Sequence, residues 1–99
     1  MAYPYLKGKI ALVTGGSRGI GAATADALAK QCANVVLTYR NKAARAEEVA
    51  EQVRSHGVQA MTMAVDLTVR EDVDALMDAI KKEFGHLDVL VLNASGGME

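Results

Sequence analysis

A glycine-rich turn near the start of the chain carries the strongest chemical signal in the sequence. Residues 14–21 read TGGSRGIG and lie between the apolar run IALV and a segment with helical spacing. Glycine lets a backbone approach an anion closely, and the free N–H groups of a helix's first turn attract negative charge. The turn is therefore predicted to hold phosphate, although it lacks the Lys-Ser/Thr ending of a nucleoside triphosphate loop.

The elements around this turn alternate between strand and helix. Short segments rich in apolar and β-branched residues predict strands at 10–13, 35–39, 58–65 and 89–92. Apolar residues at helical spacing predict helices at 19–31, at about 42–56, and from a Thr-x-x-Glu capping box at 68–71 to Gly85. Gly57 and Gly85 are expected to follow the second and third helices as left-handed caps.

This order predicts an α/β fold with a Rossmann-type, doubly wound parallel sheet and helices on both faces. Right-handed crossovers give the strand order 3-2-1-4, truncated after the fourth strand. The winding direction then reverses between the first and fourth strands, and ligands bind at that switch point, beyond the carboxyl ends of the strands. Residues 1–99 are expected to form one domain of this Rossmann type.

The composition narrows the class of protein. Apolar residues make up 51% of the chain and charged residues 23%, which excludes disordered and fibrous classes. The net charge of −1 argues against a nucleic-acid partner, and no apolar run reaches the ~18 residues of a membrane span. A single cysteine, Cys32, and no signal-peptide pattern predict a cytoplasmic protein. No spacing suggests a metal site.

With these segments in place, the sequence resembles the short-chain dehydrogenases/reductases, whose cofactor turn is Thr-Gly-x-x-x-Gly-x-Gly. The resemblance runs from about residue 6 to 97, and its other matching segments are LKGK at 6–9, VDL at 65–67 and NA at 93–94. It implies a nicotinamide dinucleotide as cofactor and a carbonyl or alcohol as substrate, in the style of the 3-oxoacyl thioester reductases. It also implies a homo-oligomer when the enzyme is complete.

The resemblance implies a set of cofactor-binding residues. Asp66 would accept a hydrogen bond from the adenine amino group with the backbone of Leu67 beside it, although an aspartate in a turn before a helix needs no ligand. Asn93 would tie the fourth strand to neighbouring backbone near the ribose. The full set is Gly15, Ser17, Arg18, Gly19, Ile20, Gly21, Tyr39, Arg40, Asp66, Leu67, Asn93 and Ala94.

The choice between the two dinucleotides can be argued from charge. An acid at the end of the second strand would accept a bond from the ribose 2′-OH and repel a 2′-phosphate. Here the position is Tyr39, followed by Arg40, and Arg18 lies close by in this fold. A guanidinium grips phosphate with forked donors, so NADP(H) is favoured over NAD(H). The alternative is that both arginines are solvated loop charges.

No catalytic residue is expected within the chain. The family relies on a Ser and a Tyr-x-x-x-Lys pair that lie downstream of the Asn-Ala turn, and the sequence ends at Glu99. Tyr3 with Lys7, and Tyr5 with Lys9, match the spacing but precede the first strand, at the wrong end of the sheet. Two alternatives to an oxidoreductase remain open: a stand-alone, non-catalytic NADP(H)-binding module, and an assembly partner that completes its sheet with another chain.

Three residues depart from the family pattern, two of them near the expected position of the nicotinamide ribose and one at a helix end. Leu92 and Ser95 replace an Asn and a Gly of the family's Asn-Asn-Ala-Gly motif, and Cys32 stands where many relatives have glycine. A left-handed backbone at Cys32 would cost about 1 to 2 kcal/mol. An unpaired fourth strand would expose apolar residues 89–92, so the isolated chain is expected to be marginally stable or to self-associate.

Overall fold

The computed structural model describes residues 5–15 and 19–93 of the chain. Four strands alternate with three helices, in the order β1 (Ile10–Val13), α1 (Gly19–Lys30), β2 (Asn34–Tyr39), α2 (Ala43–Arg54), β3 (Ala60–Ala64), α3 (Arg70–Phe84) and β4 (Val89–Val91). All neighbouring strands pair in parallel, in the order β3-β2-β1-β4. The predicted fold class and strand order are thus confirmed, while β3 is shorter than predicted.

The buried strands divide their side chains between two apolar layers. On one face, Val13, Val35 and Leu37 pack with side chains of α1 and α2, including Ala25 and Val53. On the other face, residues that alternate with these pack against α3; this layer consists of Ile10, Leu12, Val36, Val65, Leu76 and Ile80. Burial of β1 and β2 on both faces explains their continuous apolar sequence.

The first helix ends in a Schellman motif, in which two backbone bonds close the last turn. The N–H of Ala33 donates to the carbonyl of Leu28 at 3.1 Å, and the N–H of Cys32 donates to the carbonyl of Ala29 at 2.9 Å. This motif requires a left-handed residue at position 32, and Cys32 has φ +73°. The conditional expectation of strain at this cysteine is therefore met.

The predicted capping box at the start of the third helix is wrong. The helix begins at Arg70 after Val69, and no side chain caps it. The hydroxyl of Thr68 donates instead to the carboxylate of Asp66 at 2.6 Å, within the turn that precedes the helix. The hydroxyl is therefore not available to cap the helix. Gly85 has φ +87° and caps the third helix, as predicted. The second helix ends at Arg54 with Ser55 as its cap, so Gly57, which has φ +88°, lies beyond the cap and the prediction that it caps this helix is wrong.

The face of the sheet around β4 is less covered than the rest. Leu90 and Leu92 are 52% and 70% exposed, whereas Val89 and Val91 are half-buried, so the predicted exposure of 89–92 holds for the leucines. Met77 on α3 is also exposed. None of the helices in the described parts of the chain is long and apolar enough to cross a membrane.

Candidate functional site

The glycine turn brings the start of α1 into contact with the end of β1. A Cβ atom on Gly21 would overlap the carbonyl oxygen of Gly15 and lie 2.7 Å from Nδ2 of Asn93. Gly19, which opens the helix, has φ +64°, a conformation that disfavours any side chain. These two glycines therefore let the first turn of the helix approach the edge of the sheet, and the free N–H groups of such a turn attract an anion.

A polar clasp joins the carboxyl ends of β1 and β4. The N–H of Asn93 donates to the hydroxyl of Thr14 at 3.0 Å, and the N–H of Thr14 donates to the carbonyl of Val91 at 3.1 Å. The side-chain amide of Asn93 donates to the carbonyl of Gly15 at 3.3 Å. The order β3-β2-β1-β4 makes this pair of strands the topological switch point, so the clasp lies where dinucleotides bind in such sheets.

Two buried threonines belong to the same junction. Thr14 is 1% and Thr38 is 2% exposed, and the hydroxyl of Thr38 accepts a bond from the N–H of Gly15 at 3.3 Å. Neither threonine is among the cofactor-binding residues predicted from the sequence. Their signal was a polar residue at the end of a buried apolar strand, because a buried hydroxyl needs a hydrogen-bond partner.

A second group of polar residues lies beyond the ends of β2 and β3. Nη2 of Arg40 lies 3.5 Å from Oδ2 of Asp66. The other carboxylate oxygen, Oδ1, accepts bonds from the hydroxyl and the N–H of Thr68, at 2.6 and 2.9 Å. These bonds from Thr68, together with the nearby Arg40 charge, hold the pKa of Asp66 below its ordinary value of 3.8.

The backbone of Asp66 is held as firmly as its carboxylate. Its N–H donates to Oδ2 of Asp72 at 2.9 Å, so the first turn of α3 fixes the residue after β3. The N–H of Val65 donates to the carbonyl of Tyr39 at 2.8 Å and ties the same segment to β2. An open hollow of about 190 Å³ lies here, lined by Arg40, Asn41, Ala64, Val65, Asp66 and Asp72.

The structure brings most of the predicted site residues to one edge of the sheet. Gly15, Gly21 and Asn93 meet at the β1 end, while Tyr39, Arg40 and Asp66 lie at the β2 and β3 ends. Ile20, the second residue of α1, has its side chain 75% exposed.

The other predicted cofactor-binding residues include Leu67 and three residues that the structure does not describe. Leu67 is half-buried and packs against the apolar layer beneath α3, so only its backbone is available to a ligand. Ser17, Arg18 and Ala94 lie outside the described residues. In residues 5–15 and 19–93, no cluster of three His, Cys, Asp or Glu side chains is arranged to hold a metal ion.

Comparison with known proteins agrees with this geometry. Residues 9–99 match the short chain dehydrogenase family. The chain is 43% identical over 97 residues to hydroxynaphthalene reductase arp2 of Aspergillus fumigatus, a match that covers 98% of this chain and 35% of the relative. The chain thus spans about a third of the length of the relatives it matches.

Two solved structures illustrate the fold with different cofactors. L-sorbose reductase from Gluconobacter frateurii, complexed with NADPH and L-sorbose, superimposes with a TM-score of 0.86 at 40% identity, covering 93% of this chain and 35% of that one. An NAD⁺-bound xylitol dehydrogenase superimposes with a TM-score of 0.82 at 35% identity, covering 87% and 33%. The chain belongs to the short-chain dehydrogenase family, and its relatives are oxidoreductases.

Proposed function

We propose that this chain is the NADP(H)-binding part of an oxidoreductase that transfers hydride between nicotinamide and a carbonyl or alcohol substrate. The observation that carries the proposal is the contact between Gly21 and Gly15 at the topological switch point. A side chain at position 21 would fill this space, and glycine there opens the helix N-terminus to a pyrophosphate. The nicotinamide, when bound, supplies the hydride chemistry.

The residues of this chain would bind and orient the dinucleotide. The glycine turn, with Ser17, Arg18, Gly19 and Ile20, would contact the phosphates and the adjoining ribose. The two bonds from Thr68 go to Oδ1 of Asp66, so Oδ2, which also faces Arg40, would accept a bond from the adenine amino group, with the backbone of Leu67 beside it. Asn93, already bonded to Gly15, would hold the backbone of residue 94 near the ribose.

The preference for NADP(H) is argued from residues at the end of β2. No acid is present there to accept a bond from a ribose 2′-OH, since β2 ends at Tyr39 and Arg40 follows. The Arg40 side chain is 41% exposed and lines the hollow beside Asp66, so its guanidinium is accessible to a 2′-phosphate. The family includes structures with either dinucleotide bound, so these residues, and not the fold, carry the preference.

The substrate class rests on the relatives. Hydroxynaphthalene reductase and L-sorbose reductase are both named as reductases, and L-sorbose is a ketose. We propose the same reaction class here, with a 3-oxoacyl thioester as one candidate substrate. The catalytic Ser, Tyr and Lys of such an enzyme would follow the Asn-Ala turn, so the substrate would bind next to the nicotinamide on the far side of β4.

The proposal is tested by titrating NADPH and NADH into the full gene product that carries this chain, with calorimetric detection. NADPH is expected to bind more tightly, and Arg40→Ala to weaken NADPH by about tenfold to a hundredfold, the value of a charge-assisted bond. NADH affinity should change less than about twofold. Lys82→Ala, which removes a charge at the opposite end of α3, is the matched control. Equal affinity for both cofactors would contradict the phosphate preference, and binding of neither would contradict the nucleotide site.

A further inference from the structure

The ion pair between Arg40 and Asp66 gives the site a feature that the proposed function does not require. Both side chains are partly exposed, at 41% and 31%, and they meet across the hollow between the ends of β2 and β3. Thr68 occupies Oδ1 of Asp66 with two bonds, which leaves Oδ2 directed to the guanidinium. Arg40 therefore has an anionic partner within the protein before any ligand arrives.

The charges around the hollow are unfavourable to a phosphate. Of its six lining residues, Arg40 is the one cation, while Asp66 and Asp72 are both acids. Asp72 accepts a bond from the N–H of Asp66, whereas the carboxylate of Asp66 faces Arg40 through Oδ2, so the two carboxylates occupy different positions relative to the guanidinium. A 2′-phosphate entering this hollow has to compete with Asp66 for Arg40.

We propose that Asp66 is a specificity-determining residue that competes with the ribose 2′-phosphate for Arg40 and so limits the preference for NADP(H) over NAD(H). A ligand with a free 2′-OH leaves the ion pair in place, because it brings no competing charge. A ligand with a 2′-phosphate must draw the guanidinium away from Oδ2. This inference rests on the proposed nucleotide site and adds to Asp66 a role distinct from adenine contact.

Two nucleotides that differ only in the 2′-phosphate isolate this effect. The ratio of the Kd of 5′-AMP to the Kd of adenosine 2′,5′-bisphosphate measures what the 2′-phosphate contributes to binding. A loss of adenine contact weakens both ligands alike and cancels in the ratio. Asp66→Asn keeps an oxygen to accept the bonds of Thr68 and removes the charge that faces Arg40.

The experiment measures this ratio for the full gene product and its variants. Asp66→Asn is expected to raise the ratio about threefold to fivefold, the value of a partly exposed ion pair. Asp72→Asn is the matched control, since it removes the same charge from the same hollow and keeps an acceptor for the N–H of Asp66. It should raise the ratio less than about 1.5-fold. In an Arg40→Ala background, Asp66→Asn should leave the ratio unchanged.

Each other outcome overturns the inference. An equal rise in Asp66→Asn and Asp72→Asn would mean that general charge sets the selectivity. A fall in the ratio would mean that Asp66 orients Arg40 toward the phosphate, and no change would mean that the pair is irrelevant to selection. Should Asp66→Asn lose its fold, Asp66→Ser provides a second neutral variant with an acceptor oxygen. Failure of the unmodified protein to bind either nucleotide would instead reject the proposed site itself.

Discussion

The two ends of the candidate site are built in different ways. At the β1 end, backbone lies against backbone, and the space between Gly15 and Gly21 admits no side chain. At the β2–β3 end, two partly exposed charged side chains face each other across an open hollow. The pyrophosphate common to both dinucleotides would thus meet a rigid surface. The 2′ position that distinguishes them would meet side chains whose interactions are weak enough to be retuned by single substitutions.

The largest effect is expected from a substitution that breaks the rigid end. Gly21→Ala places a methyl group against the carbonyl of Gly15, so α1 must move away from the sheet. Cofactor binding should be lost, and the free energy of unfolding should fall by about 2 kcal/mol. Calorimetric titration and denaturant unfolding measure the two effects. Ala27→Ser, which adds an atom on the exposed side of the same helix, should change neither; retained NADPH binding in Gly21→Ala would contradict the assigned contact.

A smaller effect is expected where the two ends meet. Thr38→Val keeps the side-chain volume but removes the acceptor of the Gly15 N–H, whose bond is part-buried. The expected loss of stability is about 1 kcal/mol, the net value of such a bond, measured by denaturant unfolding. Thr62→Val on the half-buried neighbouring strand β3 is the control for a threonine-to-valine change in a strand. A variant as stable as the parent would show that the Thr38 bond contributes nothing.

Cys32 lies away from both ends of the candidate site, so a substitution there should alter stability without altering cofactor binding. Cys32→Gly removes the left-handed strain in the Schellman motif, offset in part by the greater freedom of glycine in the unfolded chain. A gain of about 0.5 to 1 kcal/mol is expected in denaturant unfolding, with unchanged NADPH affinity. Gly57→Ala, at another left-handed position after a helix, should have the opposite sign. If Cys32→Gly proved less stable than the parent, the packing of the thiol would contribute more to stability than the left-handed backbone costs.

The smallest expected effect is a change in the pKa of Asp66, at the β2–β3 end of the site. The hydroxyl of Thr68 is the first cause of the lowered pKa of Asp66, and the charge of Arg40 is the weakest. Thr68→Val should therefore raise the Asp66 pKa toward 3.8 by more than Arg40→Ala does, as measured by carboxyl NMR titration. Thr68→Ser should leave it unchanged. Because the folded pKa is lowered, the stabilisation from these bonds is complete above the ordinary pKa and is lost as pH falls through the lowered value. A larger rise in the Asp66 pKa in Arg40→Ala than in Thr68→Val would show that the ion pair, and not the Thr68 bond, is the main cause of the lowered pKa.

The sequence sufficed to predict the sheet because its central strands are buried on both faces. Segments such as IALV and VVLT have no other stable environment, and the intervening helices carry apolar residues at helical spacing. Helix ends were less predictable. The capping box predicted from Thr68-x-x-Glu71 does not form, because the hydroxyl of Thr68 donates to the aspartate two residues earlier. Residue spacing alone does not show which of two competing local hydrogen bonds forms.

Within the candidate site, residue types predicted single positions in the site better than they predicted which residues contact each other. Glycine spacing located Gly15 and Gly21, since a close backbone approach excludes other residues. Arg40 and Asp66 were each assigned to a different part of the cofactor, and their pairing with each other was not predicted. The pairing depends on the relative positions of β2 and β3, which are not encoded in either segment.

The clasp between Thr14 and Asn93 also has a consequence for how the protein folds. It joins residues 79 positions apart, whereas β1, β2 and α1 are neighbours along the chain. Closing so long a loop is entropically costly until the intervening elements have formed. Of the four strands described, β4 is therefore expected to dock last, and its amides to exchange with solvent sooner than those of β1 and β2. The binding site is then assembled only in molecules in which all four of these strands have docked.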